Sequence, residues 1–349
     1  MTARVTAVLL AYGAEAWLEE AVGAVLAAKD VEIDVVVVDN GCTSGAIDRV
    51  KALPGVRVIT PESNTGFSGG AVRGAAEAAG DYLAFVNSDA IVAPGALARL
   101  AEVAGEPKVG LAMASIRLAD TPDLINTAGN PLHFVGLSWA GGLGEPAAEH
   151  AERRSVMTGS GCCFVMRRSL WEDLGGFAPE YFAYVEDTEI SLRIWQRGLT
   201  VEYVPDAVVL HHYEFARNEN KFYLLERNRA ILLLTTYERR SLLVLTPMLL
   251  LTEILMLGAA VAGGWGGAKL RGWRWLWQHR SWLQSRRALI QSERVVPDAV
   301  IFERVTARFD PANIAAPPGV GIFNAVTSGY WFVARRVIRA GHQGPRTIE

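Results

Sequence analysis

The stretch IDVVVVD, residues 33–39, places four consecutive valines between Asp34 and Asp39. A strand with one face in water alternates apolar and polar side chains. An unbroken β-branched run implies cover on both faces, as in a parallel sheet between layers of helices. Outward from it, Val5–Leu10 is a shorter run of the same kind and Glu15–Ala28 has helical spacing. On the other side come a Gly/Ser-rich loop, a short helix, VRVIT (56–60), an Ala-rich helix to Ala79, and the run Tyr82–Val86. Strands alternating with helices predict a doubly wound α/β core. Such sheets bind ligands at the carboxyl ends of their strands. Asp39 sits at one such end, and YLAFVNSDAIVAPG (82–95) brings Asn87 and Asp89 to another.

The chain has 349 residues, half hydrophobic and a fifth charged, enough for a large core and against global disorder. A net charge of −3 gives no reason to expect nucleic acid as a partner. Three cysteines, Cys42, Cys162 and Cys163, match neither a zinc-site spacing nor a disulfide framework, which points to a reducing compartment. The N-terminal MTARVTAVLLAYGAEAW has one Arg and a six-residue apolar run. It reads as a first strand rather than a signal peptide, hence a cytoplasmic chain.

Several residues could carry chemistry. Asp39 could accept hydrogen bonds from a base or ribose, or simply cap its loop. Asn87 and Asp89, two apart in an extended or turning segment, point the same way. Their oxygens suit Mg²⁺ or Mn²⁺, which binds one or two carboxylates together with substrate phosphates; a plain turn is the simpler reading. Glu186, Asp187 and Glu189 cluster in YFAYVEDTEISLRIWQRG, at the start of a helix expected from Asp187 to Arg197 and closed by Gly198. Acids are favoured at helix starts by the dipole and the unpaired N–H groups. Tyr181, Phe182 and Tyr184 before them suggest a pocket wall, where a carboxylate could act as general base. His211 and His212 follow the strand-like AVVL, where a pair leans towards ligation. LLAYGAEAW has a single glycine and GFSGGAVRG the wrong spacing, so the nicotinamide-binding phosphate loop is absent.

Taken in order, VVVVDNGCTSG, NTGFSGG, GDYLAFVNSDAIVAPGAL, GSGCCFVMRRSLWEDLGGF, YFAYVEDTEISLRIWQRG and YVPDAVVLHH resemble glycosyltransferase family 2, with its GT-A fold, and within it the bacterial rhamnosyltransferase-like branch. They cover about residues 4–215. The resemblance implies an inverting, metal-dependent transferase that moves a sugar from a UDP- or dTDP-sugar to a hydroxyl of a cell-envelope glycan or lipid-linked acceptor, the branch suggesting rhamnose. It implies that Asp39 contacts the base and that Asn64 helps to form the nucleotide site. Asn87 and Asp89 occupy the family's metal motif, with Asp89 and His211 as ligands of Mg²⁺ or Mn²⁺. Asp187 falls at the catalytic base, with Glu186 beside it facing the acceptor. The chain departs from the family in having Ala71 and Val72 after SGG, and Asn87 where an aspartate usually opens the metal motif.

The C-terminal third differs in composition. Ser241–Ala262 holds eight leucines and three β-branched aliphatics, with Glu253 and Pro247 opposing insertion. At about −0.3 to −0.6 kcal/mol per apolar residue against roughly +3 for the glutamate, spanning a bilayer is marginal. Lys269–Arg294 carries seven Lys/Arg and four tryptophans, a mixture suited to the lipid headgroup boundary. The expected organisation is a GT-A catalytic domain over 1–217, a helical membrane-associated region over 218–295, and a tail with an amphipathic helix over 296–349. The chain would then act at the cytoplasmic side of the cell membrane. The alternative for the helical region is a hairpin packed on the catalytic domain or on a second subunit, as in a homo-oligomer. The rival to an enzyme is a non-catalytic membrane-associated scaffold that keeps only the nucleotide-sugar pocket.

Overall fold

The computed structural model describes residues 2–212, 220–312 and 319–341. The expected boundary at 217/218, and part of the Pro-rich DPANIAAPPG, lie outside the described residues. By contact density the chain divides into two units. The first comprises Met1–Asn130, Ala140–Ser191 and Leu199–Phe215. The second comprises Pro131–Trp139, Leu192–Gly198 and Ala216–Glu349.

The first unit is built on one sheet. Its strands are β1 (Ala3–Gly13), β2 (Val31–Cys42), β3 (Val56–Ile59), β4 (Tyr82–Asn87), β5 (Ala90–Val92), β6 (Val109–Leu118), β7 (Thr121–Thr127), β8 (Arg154–Ser155), β9 (Cys163–Arg167) and β10 (Thr200–His211). They are ordered β3-β2-β1-β4-β9-β6-β10-β5, with β7 on β6 and β8 on β10. The β3-β2-β1-β4 half is parallel, and β9 enters antiparallel between β4 and β6. The sheet is therefore mixed. Val35–Val38 of β2 are all fully buried, as two-sided cover requires.

The helices of this unit are α1 (Leu18–Leu26), α2 (Ala46–Lys51), α3 (Gly66–Ala76), α4 (Ala96–Ala104), α5 (Arg168–Leu174) and the first turns of α6 (Glu186–Gln196). Two are shorter than their spacing suggests. Glu15 lies outside α1 because its carboxylate accepts the Tyr12 N–H (2.8 Å) and closes the β1–α1 loop. The chain leaves α3 after Ala76, and the Ala79 and Gly80 N–H groups bond to Thr6 Oγ1 instead. Glycines let α3 lie close to the sheet: a Cβ on Gly74 would stand 2.3 Å from Val8 Cγ1. At His211, β10 meets Ala90 on one side and Leu118 on the other, which brings β10's end to the turn after β4.

The second unit is helical: α7 (Lys221–Thr236), α8 (Arg239–Ala262), α9 (Gly266–Gln278), α10 (Arg280–Ser292), α11 (Asp298–Ile301) and α12 (Val320–Ala340). Segments from earlier in the chain belong to it. Phe134 stacks on Trp331 with ring centroids 4.7 Å apart, and Arg304 lies over the Trp195 ring at 4.2 Å. Glu253, which opposes membrane insertion of the apolar run, faces inward. It pairs with Arg229 and with Lys269 Nζ (2.7 Å), both of which also pair with Glu226. Among the described residues α8 is the one helix long and apolar enough to cross a membrane, a test of length and composition only.

Candidate active site

The strand ends carry the first part of the site. β2 runs on to Cys42, so Asp39 lies three residues before its end rather than at it, and its Oδ1 accepts the N–H groups of Gly41 (3.1 Å) and Cys42 (2.8 Å). This carboxylate therefore shapes its own turn with one oxygen, as a capping aspartate does. Asn40, which the sequence did not single out, is buried beside it. Its amide donates to Gly66 O (2.8 Å), and its Oδ1 accepts from Thr65 N (3.2 Å) and Thr65 Oγ1 (2.9 Å). That pins the NTGF loop against the end of β2. Asn64 is exposed and holds the same loop through its Oδ1, which accepts the Gly66 N–H (2.8 Å).

Asp89 lies in the turn between β4 and β5, and β10 delivers His211 to it. The His211 Nε2 atom is 3.2 Å from Asp89 Oδ1. On the far side of the ring, Nδ1 is 2.9 Å from Asn126 Oδ1, and an amide oxygen only accepts. With Nδ1 donating to Asn126, Nε2 is the ring nitrogen that faces the Asp89 carboxylate. In the neutral ring its lone pair and the carboxylate oxygen make two donors for one cation. Adjacent donors on an octahedral ion at about 2.1 Å stand roughly 3.0 Å apart, which the pair matches. The donor set thus fits Mg²⁺ or Mn²⁺. Among the described residues no cluster of three or more acidic, histidine or cysteine side chains forms, so a bound ion would complete its shell with other oxygens, those of substrate and solvent included. His212 takes a different part: its backbone N–H donates to Asp89 O (3.0 Å) and its ring stacks on Trp17 at 3.5 Å.

The second part is the start of α6. Asp187 Oδ2 accepts the Gly161 N–H (3.0 Å), and Oδ1 accepts the Thr188 N–H (2.6 Å) and hydroxyl (3.2 Å). Ser191 Oγ donates to Asp187 O and accepts from Gly159 N, tying this helix turn to the segment before β9. Glu186 is buried, with Ser68 Oγ donating to its Oε2 (3.4 Å). Burial, and then the neighbouring Asp187 charge, push the Glu186 carboxyl up to about 8. Burial raises Asp187 as well, but the hydrogen bonds from Gly161 and Thr188 oppose the rise. Of the two, Asp187 is the one whose anion the structure supports.

The two parts meet through one dipeptide. Gly161 donates to Asp187 while Cys162 O accepts the Asn87 N–H (2.8 Å), so adjacent residues bind the acidic helix start and the end of β4. The loop leading into α6 is strained. Phe182, Tyr184 and Val185 have φ of +64°, +71° and +74°, a conformation costing of order 1–3 kcal/mol per non-glycine residue. Gly66 accommodates it: a Cβ there would stand 2.2 Å from Phe182 O. Such strain persists where the surroundings hold it, and here they hold the acidic pair in place.

Known proteins resemble the chain in sequence and in fold. Residues 6–175 match the Glycosyl transferase family 2 model, a span that includes Asp39, Asn64, Asn87 and Asp89 and stops short of Glu186, Asp187 and His211. An N-acetylglucosaminyl-diphospho-decaprenol L-rhamnosyltransferase of Mycobacterium tuberculosis is 29% identical over 240 residues, covering 61% of this chain and 77% of the relative. An N-acetylglucosaminyltransferase of Rhizobium meliloti is 27% identical over 189 residues, covering 51% and 43%. In fold, GalNAc-T7 crystallised with UDP, GalNAc and Mn²⁺ superposes with a TM-score of 0.57 at 19% identity, over 68% of this chain. The chain spans about half of that protein, 48% of its length. S. aureus TarS 1–349 superposes at 0.51 and 13% identity, over 97% of this chain and 92% of TarS. The chain is a glycosyltransferase, and residues 6–175 are similar to glycosyl transferase family 2.

Proposed function

We propose that the protein transfers a sugar, rhamnose being the first candidate, from a UDP- or dTDP-sugar to a hydroxyl of a lipid-linked or cell-envelope glycan, with inversion at the anomeric carbon. The observation that carries this reading is the linkage of the Asp89–His211 pair and the Asp187 carboxylate around the Gly161–Cys162 peptide. The substrate class follows the M. tuberculosis relative, whose name specifies a diphospho-decaprenol acceptor and an L-rhamnosyl group.

Asp39 and the loop pinned by Asn40 would receive the nucleoside at the ends of β1 and β2. Asp89 and His211 would hold Mg²⁺ or Mn²⁺, whose chemistry when bound is to neutralise charge on the diphosphate leaving group. Asp187 takes the proton of the acceptor hydroxyl, and the oxygen attacks the anomeric carbon from the face opposite the diphosphate. The C1–diphosphate bond breaks as the new glycosidic bond forms. One base on the acceptor side suffices for a single displacement; two carboxylates flanking the bond are the glycosidase arrangement. Glu186, whose carboxyl burial pushes up to about 8, stands beside the base and accepts from Ser68 Oγ. The exposed apolar face of α8 and the Arg/Trp-rich α9 and α10 favour action at the cytoplasmic surface of the membrane, where a lipid-linked acceptor lies.

The test is a thermal-shift panel of UDP- and dTDP-sugars with and without Mn²⁺. A donor at about a hundred times its dissociation constant stabilises by roughly 2.7 kcal/mol. The wild type is expected to respond to one donor in a Mn²⁺-dependent way, and Asp89→Ala to lose the response. Asp187→Asn should keep the shift but lose transfer. Equal loss of binding and transfer in Asp187→Asn would remove its role as base.

A further inference from the structure

The second unit contains two neighbouring cavities that the glycosyl-transfer chemistry does not use. The larger, about 550 Å³, is walled by Leu233, Leu249, Leu250, Ile254, Leu257 and Leu276 of α7, α8 and α9. Of its charged lining, Glu226, Arg229, Glu253 and Lys269 pair with one another and Arg227 donates to Asn228 Oδ1 and lies over the Trp275 ring, so the walls call for an uncharged chain. The other, about 490 Å³, has three arginines, Arg239, Arg240 and Arg287, against one acid, Glu238. Glu238 is itself engaged, its Oε2 accepting the Asp298 N–H (2.9 Å). Arg287 Nη1 donates to Leu234 O (2.6 Å) and Tyr237 O (2.8 Å), and Leu234 also lines the apolar groove. A hydrogen bond therefore links a residue of the basic pocket to a residue of the groove. Burial first, and then the charges of Arg239 and Arg294, pull Arg287 below the ordinary arginine range, while Asp298 and Glu238 oppose the fall.

We propose that the paired cavities bind one anionic phospholipid of the membrane, with an acyl chain in the groove and its phosphate on Arg239, Arg240 and Arg287. Charge complementarity and amphiphilic shape select this occupant: a free phosphate leaves the groove empty, and a neutral apolar chain leaves the arginines without a counter-ion. The rest of α8 agrees, with Leu243 75% and Val261 70% exposed outside the groove. The inference rests on the membrane reading above and specifies the lipid contact.

It is tested by co-sedimenting the full-length protein with vesicles of phosphatidylcholine alone and with vesicles that also contain phosphatidylglycerol. The wild type is expected to prefer the anionic vesicles. Arg239→Ala/Arg240→Ala, both at exposed positions, should lose about thirtyfold in affinity for them, taking about 1 kcal/mol per basic residue. Leu250→Asn/Ile254→Asn should weaken binding to both vesicle types, with circular dichroism showing that the helices persist. If the wild type ignores all vesicles, the membrane reading fails and the lipid site with it. If it binds both kinds equally, or the arginine variant keeps the preference, the headgroup site alone fails. Release by inorganic phosphate, but not by chloride at equal ionic strength, would reassign the pocket to a free anion and overturn the proposal.

Discussion

At the residue scale, the side chains that orient the proposed site come from strands with no motif of their own. Asn126 on β7 is buried and holds His211 Nδ1 from 85 residues away in sequence. Outer partners of metal-binding histidines are typically worth roughly 10–100-fold in metal affinity. Asn126→Leu should therefore weaken Mn²⁺ binding by about that factor, measured by calorimetry on the donor-free protein, while Asn126→Asp should retain it. Equal Mn²⁺ affinity in the leucine variant would show that the ring needs no such support. Glu186 makes a prediction about pH. Its folded-state value, about 8, lies above the ordinary 4.5, so the folded protein holds that proton more tightly than the unfolded chain. The associated stability is complete below about 4.5 and is lost as pH rises towards about 8. Glu186→Gln should flatten the fall in melting temperature over that window, and an unchanged slope would place the responsible group elsewhere.

At the element scale, α3 and the loop before α6 fit only because Gly66 has no side chain. Its φ is +68°, and a Cβ would meet the Phe182 carbonyl. A left-handed non-glycine residue costs about 1–2 kcal/mol. Forcing a methyl into packed backbone typically adds about 1–3 kcal/mol. Gly66→Ala should lower stability by an amount in that combined range, and because Ser68 N donates to Phe182 O it should also displace the loop that presents Glu186 and Asp187. Denaturant unfolding together with transfer rates would show both effects; an unchanged midpoint would mean that the loop relaxes freely. The apolar run of α8 gives the opposite lesson. Its hydropathy alone suggests a membrane span opposed by one glutamate, yet Glu253 is answered by Arg229 and Lys269 from neighbouring helices.

At the scale of the whole molecule, the second unit is not simply the C-terminal third of the chain. Pro131–Trp139 and Leu192–Gly198 belong to it, and α6 gives its last turn and a half to it. Backbone pairing reinforces this: Phe134 N donates to Thr306 O (3.1 Å), and Val295 N and Val296 N both donate to Gln196 O. A fragment cut after residue 217 would strip these partners from Phe134, Val135 and Trp195, all fully buried in the intact protein. That fragment is expected to aggregate or to melt without cooperativity. A soluble fragment of residues 1–217 with a sharp unfolding transition would establish the catalytic domain as self-sufficient.

The sequence by itself determined the doubly wound core, because a run of four valines has one stable environment, a strand covered on both faces. It also located the strand ends and the acidic helix start, since those motifs are local and a few adjacent residues carry them. Only the tertiary structure decided which of two adjacent histidines turns to Asp89, that Asn40 and Asn126 position the groups around them, and that Gly161 and Cys162 join the base to the end of β4. These are contacts between residues 25–122 positions apart in pairs that no periodicity encodes, for example Asn40 with Thr65 and His211 with Asp89. A hydrogen bond depends on distance and direction in the folded chain, and strand order, which sets both, is a property of the whole sheet.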